Sequence, residues 1–303
     1  MVMIFETRSA LCIFIFFAGK LLNMSLRFTE NYPEVAAGLS IEVKRTLYSG
    51  KSPFQKIEVF ETEKFSRMLV IDDCIMLTER DEFIYHEMIT HVPLYVHPKP
   101  ESLLVIGGGD GGTVREILKH PEVIAVDLVD IDRRVSEVCL EFFLDISRGL
   151  LSERVNCHFE DGVEFVKKQK KHYDLIIIDS TDPINVGEGL FTSYFYQNCN
   201  SILKEDGILV NQAESPMYSN RWVRSISEKL KKSFPIVQFY SANIPTYPSG
   251  FWMFGFASKK YDPNNLFHEQ KFVKDKLNLK YYNAMVHQAC FTLPNYVKDL
   301  IND

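Results

Sequence analysis

The stretch Leu103-Leu104-Val105-Ile106-Gly107-Gly108-Gly109-Asp110-Gly111-Gly112 constrains this chain more than any other. An apolar run of strand length stops in five glycines, and Thr113 to Leu118 then reads as a helix. Strand, glycine turn and helix form the opening unit of a nucleotide-binding α/β fold. Glycines such as Gly107 and Gly109 let the backbone turn sharply and let a ligand approach it closely. Asp110 is the unusual member. It puts a carboxylate where dinucleotide folds receive a pyrophosphate, and no Lys or Arg in the loop offsets it. A site built for an anion would not carry that charge, so the ligand expected here is cationic.

Downstream, strands alternate with helices: Val123 to Val129, then Arg133 to Phe143; Val155 to Phe159, then Val163 to Lys170; Asp174 to Ile178, then Thr192 to Leu203; Gly207 to Asn211, then Arg221 to Ser233. Ile236 to Ala242 and Phe251 to Ser258 read as a strand pair. This order implies a parallel, doubly wound, Rossmann-like sheet. Upstream, Leu26 to about Thr78 holds short alternating segments, with turn signals at Ser49-Gly50 and Asp72-Asp73. A small antiparallel β-domain is expected there. Glu82 to Val96 reads as a helix carrying His86 and His91. These stand five apart, whereas a zinc-binding pair on one helical face needs four. One His facing the core and one elsewhere is the better reading, and no metal is expected.

The expected division is residues 1–23 as an extension outside the fold, 24–80 as the β-domain and 81–303 as the catalytic domain. Ala10 to Gly19 is apolar but too short to span a bilayer. It resembles a signal-peptide core without a clean cleavage site, and Met24 reads as a fresh start. A secretion signal and a membrane-surface anchor are the alternatives. The net charge of −6 offers no field for nucleic acid or anionic membrane. Six scattered cysteines fit a reducing, cytoplasmic setting rather than a disulfide framework or zinc site.

Ligands of such sheets bind at the carboxyl ends of the strands. Here every such end is acidic: Asp110; Asp130 and Asp132; Asp161; Asp179 and Asp182. Any one alone would pass as a helix cap or turn residue, but four strand ends in succession suggest a common ligand. Asp130 has the spacing of a ribose-binding carboxylate, and Asp161 is placed for an adenine amino group. Asp110, Asp179 and Asp182 remain, and together they call for a polycation or a metal. Magnesium would want a phosphate cradle as well, which is missing. A polyamine would want apolar walls and cation–π faces, which Tyr85, Tyr247 and Trp252 could supply.

At these residues the chain resembles the polyamine aminopropyltransferases of the spermidine synthase type. The matching segments are Leu77 to Met88, Gly107 to Gly112, Asp179-Ser180-Thr181-Asp182-Pro183, Pro245 to Gly250 and Tyr281-Tyr282-Asn283. The resemblance implies a class I methyltransferase-like fold with a small N-terminal β-domain. It implies decarboxylated S-adenosylmethionine as co-substrate, with no cofactor, a diamine acceptor (usually putrescine), and 5′-methylthioadenosine as co-product. It also implies a homodimer or homotetramer. By position, Gln55, Asp130, Asp161 and Gly162 correspond to nucleoside contacts. His86, Asp110 and Asp182 correspond to amine contacts, and Asp179 to the proton acceptor. Two departures fall on the nucleoside side: Asp130 stands where the family commonly has Glu, and Val186 where it commonly has Pro. Three other readings stay open: an S-adenosylmethionine-dependent N-methyltransferase, an NAD-dependent dehydrogenase (Gly107-x-Gly109-x-x-Gly112 fits that fingerprint literally), and a non-catalytic polyamine-binding homologue.

Overall fold

The computed structural model describes residues 26–181 and 185–302. Its first five strands, β1 (Arg27–Tyr32), β2 (Ala37–Lys51), β3 (Lys56–Thr62), β4 (Arg67–Ile71) and β5 (Cys74–Thr78), form one antiparallel sheet in chain order. Alternation decides its faces. Ile57, Val59, Leu69, Ile71 and Leu77 pack against Val135, Val138, Cys139 and Phe143 of the larger part, while Ile41, Val43, Met68, Val70 and Ile75 form a second cluster. Asp72 and Asp73 are both left-handed, as a two-residue hairpin between right-twisted strands requires. The other expected turn, at Ser49-Gly50, is not one. Those residues continue strand β2, and the chain reverses at Ser52 to Gln55, where the Ser52 N–H donates to the Gln55 carbonyl (2.9 Å).

After helix α1 (Glu82–Val96), the remaining strands are β6 (Ser102–Gly107), β7 (Ala125–Asp130), β8 (Val155–Phe159), β9 (Tyr173–Asp179), β10 (Leu203–Gln212), β11 (Ile236–Asn243) and β12 (Phe251–Ser258). They form a sheet in the order β11-β12-β10-β9-β6-β7-β8. The five from β10 to β8 are parallel, and β12 runs antiparallel between β10 and β11. Helices α2 (Gly112–Ile117), α3 (Arg133–Phe142), α4 (Leu144–Ser147), α5 (Gly162–Lys168), α6 (Ser193–Ile202) and α7 (Asn220–Ser233) lie among the strands in the chain. Three more, α8 (Glu269–Asp275), α9 (Ala284–Cys290) and α10 (Asn295–Asn302), follow the last strand.

Period-two alternation splits the core. Leu103, Val105, Leu175, Ile177, Ile208 and Val210 face α1 and α2, while Leu104, Ile106, Ile176, Ile178 and Leu209 face α5, α6 and α7. With both faces covered, β9 is buried from end to end. Chain order runs outward from β6 to β8, then returns to β9 on the other side of β6. Ligands gather at such a reversal point, and there Gly107 pairs with Asp179. Among the described residues no helix is long and apolar enough to cross a membrane.

Helix α1 is buried on nearly all sides, and its polar residues are placed accordingly. The Glu87 carboxylate accepts the backbone N–H groups of Lys280, Tyr281 and Tyr282, each at 2.8 Å. That anchors the chain beyond β12 to the helix and accounts for Tyr281-Tyr282-Asn283 as a structural segment.

Candidate active site

The loop from β6 to α2 is shaped by what lies against it. Gly107 is left-handed, and a Cβ there would stand 2.1 Å from the Asp179 carbonyl oxygen. A Cβ at Gly112 would stand 2.2 Å from the His86 ring. No other residue fits either position without moving a strand end or that ring. The turn aims the Asp110 carboxylate inward, where Oδ1 accepts the Gly112 N–H (2.7 Å) and lies 3.3 Å from His86 Nε2.

Asp179 closes the neighbouring strand. Its carboxylate accepts from the Tyr85 hydroxyl at Oδ1 and from the Thr113 hydroxyl at Oδ2, both at 2.7 Å. Burial raises its pKa above the ordinary carboxylate value, and the negative charge of Asp110 raises it further, against the pull of His86 and the two hydroxyls. Asp110 goes the other way. Burial opposes its ionisation, but His86, the Gly112 N–H and Arg115 outweigh that and hold it below the usual value. Two neighbouring carboxylates whose environments push them apart is the pattern of a base beside a permanent anion.

His86 is 2% exposed. Its Nδ1 lies 2.6 Å from Glu82 Oε2 and its Nε2 faces Asp110. Burial favours the neutral ring, yet Asp110 and Glu82 push its pKa up to about 10, which favours the cation at neutral pH. The expected aromatic wall is present. Tyr85 and Tyr247 lie 5.6 Å apart between ring centres, and Tyr247 and Trp252 4.9 Å. The Tyr247 hydroxyl donates to the Met76 carbonyl (2.8 Å). Asp81 accepts from the Thr246 N–H (3.1 Å) and hydroxyl (2.8 Å), and the Thr78 hydroxyl donates to its other oxygen (2.5 Å). Part of the segment around Thr78 and Asp81 is therefore a clamp on the loop carrying Tyr247.

On the other side of the glycine loop, Asp130 accepts the N–H groups of Gly109 (3.0 Å) and Asp132 (2.8 Å). Burial, with the charges of Asp132 and Asp110, raises its pKa to about 6 despite these bonds. Asp161 accepts the Val163 N–H (2.7 Å) as the cap of α5, and lines the cavity beside Gly162. Asp132 leaves the rim. It caps α3 through the Arg134 N–H (3.0 Å), and its other oxygen accepts from the Ser52 hydroxyl (2.6 Å) and the Gln55 amide (3.0 Å). Gln55, from the small sheet, is thereby brought to the cavity edge. Asp182 lies outside the described residues, as does the side chain of Val186.

One cavity of about 360 Å³ collects Tyr85, His86, Asp110, Asp130, Asp161 and Asp179, with Gln55, Gly107, Gly109, Gly162 and Tyr247 also along its wall. It also exposes residues that the pattern of motifs did not mark. Glu30 reaches it from β1, with Oε2 accepting the Ile75 N–H (3.0 Å), and Gln212 from the end of β10. A lone acidic residue in an edge strand carries no sequence signal of its own. Gln212, at a strand end of the sheet, could have been found by the same rule that found the aspartates.

The helix α1 histidines are both buried, rather than one facing the core and one elsewhere. Among the described residues, two groups of side chains bring potential metal-binding atoms within 4.8 Å of one another. In His86, Asp110 and Asp179, the His86 Nε2 lies 3.3 Å from Asp110 Oδ1, and the carboxylates of Asp110 and Glu82 favour the protonated ring, which would have no lone pair to give. In His120, Glu122 and Asp275, the Lys271 ammonium already sits on Glu122.

The family model described as the spermine/spermidine synthase domain matches residues 82–269, and that of the spermidine synthase tetramerisation domain matches residues 27–79. The polyamine aminopropyltransferase of Alkaliphilus oremlandii is 49% identical over 280 residues, covering 92% of this chain and 98% of its own. That of Clostridioides difficile is 49% identical over 283 residues, covering 92% and 100%. Among solved structures, a spermidine synthase in complex with a transition-state analogue, AdoDATO, superposes with a TM-score of 0.90 at 42% identity, covering 91% of this chain and 95% of that one. Spermidine synthase from Thermotoga maritima gives 0.89 at 42%, covering 92% and 95%. With an acidic cavity at the reversal point of a methyltransferase-like sheet, and with matches running through both sheets, the chain belongs to the spermine/spermidine synthase family and is an alkyl-group transferase of the aminopropyl-transferring type.

Proposed function

We propose that this chain moves the aminopropyl group of decarboxylated S-adenosylmethionine to a diamine, putrescine by preference, giving spermidine and 5′-methylthioadenosine. The observation that carries this reading is Asp179, a buried carboxylate held by two hydroxyls 2.7 Å away in a cavity whose other charged walls are mostly anionic. The acceptor nitrogen must be deprotonated to attack. Its lone pair forms a bond to the aminopropyl carbon next to the sulfonium, and the carbon–sulfur pair stays on sulfur as a neutral thioether. The proton that the acceptor ammonium loses before this attack goes to Asp179, and the secondary nitrogen formed keeps the positive charge. The thioether is a good leaving group, so no acid and no cofactor is required.

Asp110 would take the amine of the aminopropyl arm. Its negative charge would also oppose the carboxylate of intact S-adenosylmethionine. His86 would hold Asp110, Tyr85 and Tyr247 would flank the methylenes, and Asp182, on the sequence alone, would hold the distal ammonium. Gln55, Asp130, Asp161, Gly162, Gly107 and Gly109 would bound the nucleoside. Val186 would sit on that side by its place in the sequence. The tetramerisation-domain match supports a homo-oligomer, dimer or tetramer, and the free cysteines suit a cytoplasmic enzyme.

The test is mass spectrometry of products from putrescine, cadaverine, agmatine and spermidine offered with the decarboxylated donor and, separately, with S-adenosylmethionine. Spermidine with methylthioadenosine is expected. A methylated amine would replace this reading with methyl transfer, and bound methylthioadenosine without product would replace it with a binding protein.

A further inference from the structure

A buried polar chain leaves the cavity and runs into the protein. Arg115 grips Glu82 with two nearly parallel bonds, Nη1 to Oε1 at 2.9 Å and Nη2 to Oε2 at 2.8 Å. Glu82 in turn meets His86 Nδ1, and His86 Nε2 meets Asp110. Beyond Arg115, its Nε donates to Glu116 (2.8 Å), which meets His91 Nε2 (2.9 Å). Neither Glu82 nor Arg115 lines the cavity. Glu82 is nonetheless 7% exposed, and a carboxylate so placed is retained only against a desolvation cost.

We propose that Glu82, clamped by Arg115, is a positioning residue for the donor-amine site: it holds His86 with both ring nitrogens donating, one to Glu82 and one to Asp110. This rests on the aminopropyl-transfer reading and extends it to two residues that touch no substrate. A neutral imidazole has one N–H, and its tautomer could leave a lone pair facing Asp110. Such a ring would free the carboxylate to rotate from the arm it must meet. Doubly protonated, the ring offers Asp110 a fixed donor whatever the tautomer balance would be. The bidentate grip of Arg115 matters because it fixes the plane of the Glu82 carboxylate, which a Lys would not do. The groups facing the His86 ring are Glu82 and Tyr85 from α1, Asp110 from the glycine loop and Asp179 from β9, with Arg115 behind Glu82 on α2. Among the described residues, only the carboxylates of Glu82 and Asp110 touch its nitrogens.

The test uses the full chain, with His86 followed by NMR of labelled histidine through a pH titration, beside pH profiles of kcat/KM for the decarboxylated donor. In the unaltered protein the ring is expected to stay doubly protonated from pH 6 to 9, and titration near its ordinary value of about 6.5 would overturn the proposal. In Glu82→Gln, proton binding at His86 should weaken by about a hundredfold. Donor kcat/KM should then fall by about tenfold on the alkaline side of the new midpoint. At pH 6, where the ring still holds both protons, kcat and KM should both change little, and on the alkaline side the loss should fall on KM. Arg115→Gln should do the same more weakly, and Arg115→Lys should restore charge without the full grip. Loss of activity at every pH with His86 still doubly protonated would reduce Glu82 to a structural role and overturn the proposal. If Glu82→Gln does not fold, Arg115→Gln and the unaltered protein decide it. The histidine titration is read without any product, so failure of the aminopropyl reading would show separately, as absent spermidine.

Discussion

His86 and His91 stand five residues apart on one helix, both buried and each touching a glutamate, yet their pKa values move in opposite directions. Burial favours the neutral form in both. For His86 the two carboxylates Asp110 and Glu82 overcome it, and the pKa rises to about 10. For His91 burial prevails, aided by the charges of His120 and Lys119 against the pull of Glu116, and the pKa falls to about 4. Arg115 binds both glutamates, but Lys119 also lies 2.6 Å from the Glu116 oxygen that meets His91. The second neighbour adds to that difference. His86 Nε2 faces the carboxylate of Asp110, whereas His91 Nδ1 lies 2.9 Å from another imidazole, that of His120. The carboxylate contributed by the glycine loop thus raises the one histidine, while the other is a hydrogen-bond link between Glu116 and His120.

The largest effect should come from the carboxylate beside His86. Asp179→Asn keeps the shape and one of the two accepting oxygens but removes the proposed proton acceptor. Turnover should fall by about 10²–10⁴-fold, with methylthioadenosine release as the readout and donor binding retained. Near-normal turnover would remove Asp179 as the base.

The two histidines should also give opposite pH slopes in stability. His91 has a folded pKa depressed to about 4 against about 6.5 unfolded, so the unfolded chain binds more protons between those values. Its contribution is complete above pH 6.5 and is lost as pH falls through about 4, at most about 3 kcal/mol. His86, raised to about 10, contributes fully below pH 6.5 and loses that contribution as pH rises through about 10. Urea unfolding of His91→Gln between pH 4 and 7 should show a flatter acid limb than the unaltered protein. An unchanged limb would mean that His91 is charged in the fold.

Gly112→Ala approaches the same pair sterically. Its Cβ would enter the His86 ring, so the ring must leave Asp110. About 10²-fold loss in donor kcat/KM is expected, because a displacement of about 1 Å at a positioning group has effects of that size. His91, a turn and more away, should keep its contacts, and its NMR signal should be unmoved.

Much of this was legible in the residues alone, for physical reasons. The glycine loop and the buried run of β9 announce the sheet, because only a strand covered on both faces tolerates Leu175 to Ile178 as an unbroken apolar stretch. Asp110, Asp130, Asp161 and Asp179 reach one cavity because strand ends in such a sheet converge at the reversal of chain order. Asp132 carried the same signal and serves instead as a cap and tether, since one residue along a loop is enough to turn a side chain away. Ser49-Gly50 looked like a turn, yet tertiary pairing with Glu58 and Ile57 keeps it extended. The polar chain through Glu82, Arg115 and Glu116 was invisible for another reason. Charged residues at helical spacing ordinarily mean a solvated face, and only the packing of α1 against α2 shows that these are buried.

The smallest expected effect tests the comparison most directly. Asp110→Asn leaves the loop geometry open to the same turn, since the amide oxygen can still accept the Gly112 N–H, but it gives His86 a neutral neighbour as His91 has. The ring should then hold its proton less tightly, though Glu82 remains and should keep it above the level of His91. At the same time the carboxylate of intact S-adenosylmethionine should meet less repulsion, and discrimination between the two donors should fall by about tenfold, the loss of roughly one charged hydrogen bond. Competition binding of the two donors measures the second effect, and histidine NMR the first. If His86 stays as basic as before, Glu82 and not Asp110 sets its charge, and the contrast between the two histidines would have to be traced to the helix rather than to the loop.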